Sequence, residues 1–467
     1  MAEFEDIRDR LLAKLDVETP RLDMYDDYFD GRQPLKFLAP ALQAQMGNKI
    51  ADVVVNIPRF GVEAYDNRLD IQGFRFPGIP NADDDLWGVW QANDGSALAQ
   101  QAHRESLALG RAYAIVGEGD DDLPLITVES PFETIHEDDP RTHEVKYGVK
   151  RWTDEDKTIW VDLFHPYGRQ TWFQTEKAKK FTLDNGLTET NDFNLCRMVP
   201  LVNDPRTLGR VRGAEGFDQR LGRSVFHDVI GPVDALNKTL TDMMTSAEFH
   251  AMPRRWATGL NVDDFVDEAS GTQFETYSMV AGRVWSSENE NTKFGQFQEA
   301  DLKNFHDTAK LWLQLAGTLL ALPPHYLSFE SQTPPSADAI RSAEAQLVKR
   351  AERKQSTLSG RWERVQRLVV LTQGRPDTPE LRRIETLWTD PATPTKAQKT
   401  DAAVKLYTAK DGAGRSLIPA EQTREDLGYS PEQRARMAAA DLGDTDAALS
   451  AAIQLAAERE IAFPVPA

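Results

Sequence analysis

Val225, Val229, Val233, Leu236, Leu240 and Met243 are separated by steps of four, four, three, four and three, a spacing that keeps them on one face of an α-helix. The pattern predicts a helix over 225–252, roughly 40 Å long at about 1.5 Å per residue. Ser224 stands at the N-cap position, Asp228 near the positive end of the helix dipole, and Pro253 stops the run. Gly231 and Pro232 fall inside the first two turns, so the helix either kinks there or begins at Pro232. A second rod is predicted over 301–322, where Leu302, Phe305, Ala309, Leu313, Ala316 and Leu320 keep helical spacing up to Pro323 and Pro324. A polar stretch, "HYLSFESQTPP", then leads to Ser336 as the N-cap of a third helix running to about 373 through Ile340, Leu347, Leu358, Trp362, Val365 and Leu368. The surface of that helix is basic, with Lys349, Arg350, Arg353, Lys354, Arg361, Arg364 and Arg367.

Upstream, the pattern alternates between both periods. Phe4, Ile7, Leu11, Leu12 and Leu15 predict a helix over 3–28, and a further helix follows near 40–55. The segment 56–75, with short apolar groups between turn residues, reads as strands; 82–117 reads as helix, turn, helix, strand. From 124 to 202, "LPLITVES", "VKYGVKRWT", "TIWVDLFH" and "QTWFQT" alternate between regularly spaced turns, as in a mainly antiparallel sheet. Short alternating stretches return between 254 and 300, a Pro-rich joint occupies "GRPDTPELRRIETLWTDPATP", and the remainder is Ala-rich and helical. The class is α+β, without internal repeats.

At 467 residues the chain exceeds one ordinary core and predicts two to four domains. No apolar run reaches the roughly 18 residues of a membrane span, and "MAEFEDIRDRLLAKL" is acidic where a signal peptide is basic and then apolar; the expectation is a soluble, intracellular protein without a membrane role. The lone Cys196 excludes an internal disulfide framework and a Cys-rich zinc site, and reads as a buried thiol. Net charge is −20, and residues 1–150 hold 29 acidic against 15 basic side chains. Duplex-gripping modules carry the opposite sign, because their affinity comes from Lys and Arg neutralising phosphates.

Catalytic signatures are missing from the sequence. It has no phosphate loop ending in Gly-Lys-Ser or Gly-Lys-Thr, dinucleotide fingerprint, Gly-x-Ser-x-Gly elbow or His-Glu-x-x-His pair, and its eight histidines are scattered. "GEGDDD" at 117–122 and "HEDDP" at 136–140 offer adjacent hard oxygen ligands, but neither has calcium-loop spacing, and a solvated acidic turn is the plainer reading. His250, at a helix end, is better suited to capping than to base catalysis. No catalytic, cofactor or metal residues are therefore assigned.

"GRSVFHDVIGPVDALNKTLTDMMTSAEFHAMPRRWATG" resembles the stem segment of portal proteins from tailed bacteriophages, above all those of siphophages infecting actinobacteria. "YFDGRQPLKFL" is similar to that family's N-terminal turn, "LPPHYLSFESQTPPSADAIRSAEAQLVKRAERKQ" to its tunnel-loop segment, and "RSLIPAEQTREDLGYSPEQ" to its C-terminal helical region. The resemblance implies a portal fold: wing 1–224, first stem helix 225–252, clip 253–300, second stem helix 301–322, tunnel loop 323–336, tunnel helix and return to the wing 337–395, and crown 396–467. It implies a ring, usually of twelve subunits, at one capsid vertex, serving as head-tail connector and as the channel for genome packaging and ejection. The implied partners are double-stranded DNA, a terminase packaging motor, a head-completion adaptor, and the major capsid and scaffold proteins. The implied location is the virion, after assembly in the host cytoplasm. The alternatives are another head or connector protein, or an enzyme acting on nucleic acid.

By the same resemblance His325, Tyr326, Phe329, Glu330, Ser331 and Gln332 face the DNA. Arg254 and Arg255 mark the stem-clip junction, and Val229, Val233, Leu236, Leu240, Leu313 and Leu320 pack the stem. A strongly acidic conduit repels phosphates, which lets DNA slide instead of being held by cationic contacts.

Overall fold

The computed structural model describes residues 2–36, 54–79, 82–119, 123–206, 218–251, 255–258, 293–296, 302–327, 336–392, 396–410, 412, 416–429, 433–434 and 436–442. The chain divides into two units: one holds 1–26, 62–225 and 336–467, the other 27–61 and 226–335.

In the first unit, helix α1 (Ala2–Asp30) covers one face of a five-stranded antiparallel sheet. The sheet runs in the order β4 (Thr134–Asp138), β5 (Val145–Thr153), β6 (Ile159–His165), β7 (Gly168–Gln174) and β8 (Thr182–Thr190). Ile7, Leu11, Leu12 and Leu15 of the helix bury against Ile135, Val149, Val161, Leu163 and Trp172. Val161 and Trp172 are direct cross-strand partners, so both point to that face. The opposite face meets a three-stranded sheet of β3 (Pro124–Glu129), β2 (Arg111–Glu118) and β9 (Met198–Val202), with Tyr113, Ile115, Val145, Phe164, Cys196 and Met198 between them. Cys196 is buried as expected, and burial pushes its thiol up to about 12. The exposed side of β3 does not stay open. The side-chain amide of Asn93 accepts from the N–H of Ile126 at 2.9 Å and donates to the carbonyl of Pro124 at 3.0 Å, as a neighbouring strand would.

Buried charge fixes α1 on its other side. The Glu18 carboxylate accepts from Arg21, from Arg111 Nη1 at 3.3 Å and from the backbone N–H of Asp218 at 3.1 Å, all within the interior.

The segment read as strands at 56–75 is corrected by the structure: α2 (Ile57–Asp66) is a helix, and only β1 (Ile71–Arg75) is a strand. Pro58 and Gly61 suggest turns, but Pro58 occupies the first helical turn, where its missing donor costs nothing, and the Asn56 side chain caps the N–H of Arg59 at 3.0 Å. Gly61 lies against Leu320, where a Cβ would come 2.8 Å from a methyl carbon. The helix, turn, helix, strand reading of 82–117 is borne out by α3 (Asp84–Ala92), α4 (Gly95–Leu109) and β2. Gly95 is required there, since a Cβ would sit 2.2 Å from the Trp90 ring. The helix expected near 40–55 falls mainly outside the described residues.

Helix α8 (Ala337–Thr372) begins where expected, with the Ser336 hydroxyl accepting from the N–H of Ala339 at 3.2 Å. Its apolar stripe inserts Trp362 into an aromatic core. Trp90 meets Trp362 edge-on at 5.1 Å and Phe74 at 5.1 Å, and His103 sits 5.8 Å from Trp362 and 5.6 Å from Trp388. Trp388 belongs to β12 (Glu385–Trp388), which pairs antiparallel with β1. The stretch read as a Pro-rich joint thus returns to complete a ribbon with a strand more than 300 residues earlier. Beyond it lie α9 (Lys396–Thr408) and α10 (Ala420–Asp426). Among the described residues, no helix is long and apolar enough to cross a membrane.

His103 Nε2 accepts the indole N–H of Trp362 at 2.8 Å, and burial lowers its pKa to about 3. The folded state therefore holds this ring neutral while the unfolded chain protonates it near 6.5. Stability from this site is fully present above pH 6.5 and is lost as pH falls toward 3. His103→Gln is expected to flatten the acid limb of a denaturation-versus-pH curve relative to wild type, measured by urea unfolding at pH 7, 5.5 and 4.

Candidate functional site

The second unit contains the two rods. A 3-10 turn at His227–Val229 leads into α5 (Ile230–Ala251), so Pro232 lies in the first turn of the α-helix proper, close to the later of the two expected starts. Helix α6 (Lys303–Leu319) packs along α5. Between them in sequence, β10 (Arg255–Thr258) and β11 (Lys293–Gln296) pair antiparallel as a ribbon.

Of the residues expected to pack the stem, Val229, Val233, Leu236 and Leu320 are buried, whereas Leu240 and Leu313 are half-buried. The sequence reading missed the polar frame around them. Tyr28 donates its hydroxyl to Asp234 Oδ1 at 2.6 Å, Lys36 Nζ lies 3.3 Å from the same carboxylate, and Asn237 Oδ1 accepts the N–H of Val55 at 2.9 Å. The buried acid therefore has both a neutral donor and a cation. Burial and that carboxylate raise the Tyr28 phenol well above its ordinary pKa, so it stays protonated and donates.

The reading also missed a second stripe on α6. Ala309, Ala316 and Leu320 form its buried face. Leu311, Leu315 and Leu319, spaced four apart, are 52%, 42% and 44% exposed on a second face turned by roughly 120° from the first, and Met244 of α5 is 46% exposed. The spacing was visible in the sequence, but the first stripe drew the assignment because one apolar face is enough for a helix in a core.

Helix α6 ends in a defined way. The N–H of Leu322 bonds back to the carbonyl of Gly317 at 2.9 Å and that of Ala321 to Thr318 at 3.1 Å, with Ala321 left-handed at φ 56°. A non-glycine residue there carries strain. Pro323 follows, and the first residues of the expected tunnel loop form a helical turn, α7 (Pro324–Leu327). Tyr326 packs edge-on against Phe60 at 6.1 Å, and His325 meets the Tyr326 ring at 4.8 Å. Thus His325 and Tyr326 sit half-buried on a structured turn. Phe329, Glu330, Ser331, Gln332 and Arg254 lie outside the described residues, and Arg255 opens β10.

The candidate metal motif "HEDDP" is otherwise engaged. His136, within β4, has its Nδ1 3.0 Å from the Tyr113 hydroxyl, and burial drives its pKa well below the usual value. Asp139 takes the N–H groups of Arg141 and Thr142 at 2.8 and 3.1 Å, which lowers its pKa. Among the described residues no group of three His, Cys, Asp or Glu side chains is placed to hold a metal ion.

The family model described as "Phage portal protein, SPP1 Gp6-like" matches residues 8–418. The portal protein of Mycobacterium phage L5 is 30% identical over 455 residues, covering 94% of this chain and 89% of that one. The portal protein of Mycobacterium phage D29 is 31% identical over 445 residues, covering 92% and 87%. A chain in the virion of a native gene transfer agent particle is similar at a TM-score of 0.42 and 12% identity, over 85% of this chain and 95% of that chain.

Gly317 tests the seat of α7. A helical Gly→Ala exchange ordinarily stabilises by about 1 kcal/mol. Here the new Cβ would come 2.0 Å from Leu327 Cδ1, so that methyl must turn away and Gly317→Ala is expected to fall short of the ordinary gain. Equilibrium denaturation measures the shortfall.

Proposed function

The chain belongs to the SPP1 Gp6-like family of phage portal proteins, and from that membership we propose that it closes into a ring of roughly twelve subunits around a DNA channel. The observation that carries the reading is the pair of apolar faces on α6. One packs inside the subunit; the other, Leu311, Leu315 and Leu319, is about half exposed, and covering what remains contributes about 1 kcal/mol per leucine. A helix wall that repeats around an axis needs two such faces, one for its own partner and one for the neighbour's.

In this reading α5 and α6 are the stem, the β10–β11 ribbon belongs to the clip, and 323–336 forms the tunnel loop after its first turn docks on Phe60. The unit boundaries at 225/226 and 335/336 support a stem, clip and loop body, although 27–61 of the expected wing joins it. Double-stranded DNA passes through the ring, His325, Tyr326, Phe329, Glu330, Ser331 and Gln332 brush its surface, and the net charge of −20 keeps phosphate contacts brief. Arg254 and Arg255 pair with the acidic clip residues Asp263, Asp264, Asp267 and Glu268 of a neighbour. The ring sits at one vertex of the virion capsid, having assembled in the host cytoplasm among capsid and scaffold proteins. It receives a terminase motor during packaging and an adaptor afterwards, and carries no catalysis of its own.

Leu315→Asp puts a charge on the exposed stripe without touching the α5–α6 contact. It is expected to leave a folded monomer where wild type sediments as a ring; a full ring in the variant would refute the stripe as the seam. Replacing 327–332 by a few glycines tests the loop: rings and empty heads are expected to form while DNA retention falls. Normal packaging and retention would remove the loop's gating role.

A further inference from the structure

The C-terminal segment, 396–442, is attached by charge rather than by a core. Among its described residues Ala403 is the one buried apolar side chain, and Arg434, 2% exposed, is the other buried residue. Arg434 Nη1 lies 2.8 Å from Glu425 Oε2 and 3.8 Å from Glu421 Oε1. Glu425 in turn meets Arg75 of β1 at 3.4 Å, and Arg75 meets Glu385 of β12 at 2.8 Å, across a cross-strand pair. Arg424 extends the network to Asp441 at 2.6 Å and to Glu421 at 3.9 Å. Cations and carboxylates alternate from the tip of the segment to the ribbon, and Arg75 carries the network across to β1.

This attachment has an unusual balance. A buried guanidinium is strongly destabilising without its carboxylates, and its Nε has no hydrogen-bond partner among the described residues. Glu425, Glu421 and Arg75 are more than a quarter exposed and Glu385 and Asp441 about half exposed, so salt reaches most of the network. Detachment hydrates Arg434 and exposes little apolar surface. The ribbon keeps its backbone ladder and its packing on α8 either way, because Trp388 donates to Ser359 Oγ at 2.7 Å and Gln355 Nε2 donates to the carbonyl of Thr389 at 3.0 Å independently of the segment.

We propose that residues 396–442 form an ion-held strap that docks on the β1–β12 ribbon at low ionic strength and releases at high ionic strength, while the ribbon and α8 remain folded. At about 1 M salt the screening length falls to roughly 3 Å, shorter than the 3.4 Å Glu425–Arg75 contact that joins the segment to β1 and than the 3.8 and 3.9 Å contacts of Glu421. The core around Trp362, on which the ribbon packs, is mainly apolar and does not weaken with sodium chloride. The inference does not depend on ring closure.

The test is hydrogen exchange by mass spectrometry on the full chain between 0.05 and 1 M NaCl, with assembly state followed in parallel by light scattering. Exchange across 420–442 is expected to rise about tenfold with salt while 71–75, 355–370 and 385–388 stay unchanged. Glu425→Gln is expected to show the raised exchange already at 0.05 M NaCl and to lose most of its salt dependence. Arg434→Leu, which exchanges the buried charge for apolar volume, is expected to lose the salt dependence as well. Salt-independent exchange in wild type overturns the proposal, as does a rise shared by the ribbon, or one that appears only where scattering shows loss of assembly. If a variant fails to fold, the wild-type salt series still decides.

Discussion

A single hydrogen bond between two buried rings constrains the first unit. The indole N–H of Trp362 must find an acceptor in a dry core, and His103 Nε2 supplies it at 2.8 Å only while the imidazole is neutral. That requirement sets the register of α8 against α4. Once Trp362 is seated, Ser359 one turn earlier faces Trp388 of β12, and Gln355 a turn before that reaches the carbonyls of Arg68 and Thr389. Three polar side chains on one face of one helix thereby gather α4, β1 and β12, which come from opposite ends of the chain. The aromatic rings supply the area, and the hydrogen bonds supply the alignment, because apolar contact alone tolerates sliding along the helix.

How much of this could be read from the sequence depends on how local the cause is. The stripes of α1, α5, α6 and α8 follow from side-chain period, and Ser336 as a cap follows from local hydrogen bonding; all were legible. Helix α2 was misread because proline and glycine carry two meanings: Pro58 starts a helix as readily as it ends one, and Gly61 answers to Leu320, which is distant in sequence. Strand β12 was hidden for a related reason. "IETLW" is short and flanked by proline, and it becomes a strand because β1 offers an edge and α8 offers Ser359 to Trp388. For the candidate site, the buried stem residues were recoverable from period, but Tyr28, Lys36 and Asn237 were not, since their partners are set by tertiary approach.

The end of α6 shows how strain and packing are placed beside the segment proposed as the tunnel loop. Ala321 takes a left-handed conformation that glycine would hold at lower cost, and it does so between two residues, Leu320 and Leu322, that are buried. Pro323 then forbids continuation of the helix, and α7 docks through Tyr326 on Phe60. The chain thus leaves the rod at a fixed point and in a fixed direction. The N-terminal end of that proposed loop is thereby held by packing on Phe60.

The distribution of interaction types argues for a division between what stays and what moves. Where the chain must hold a shape, as in the sandwich under α1 and the core around Trp362, apolar area and buried, satisfied hydrogen bonds dominate. On the exposed side of α6 apolar area faces solvent, as on a surface that another molecule can cover. Among the described residues of 396–442 fully buried apolar side chains are almost absent, and charge takes their place. These three regimes respond differently to the solvent: the first is insensitive to salt, the second becomes stronger as water is excluded, and the third weakens as ions accumulate. Keeping those responses in separate parts of the chain lets each change without disturbing the others.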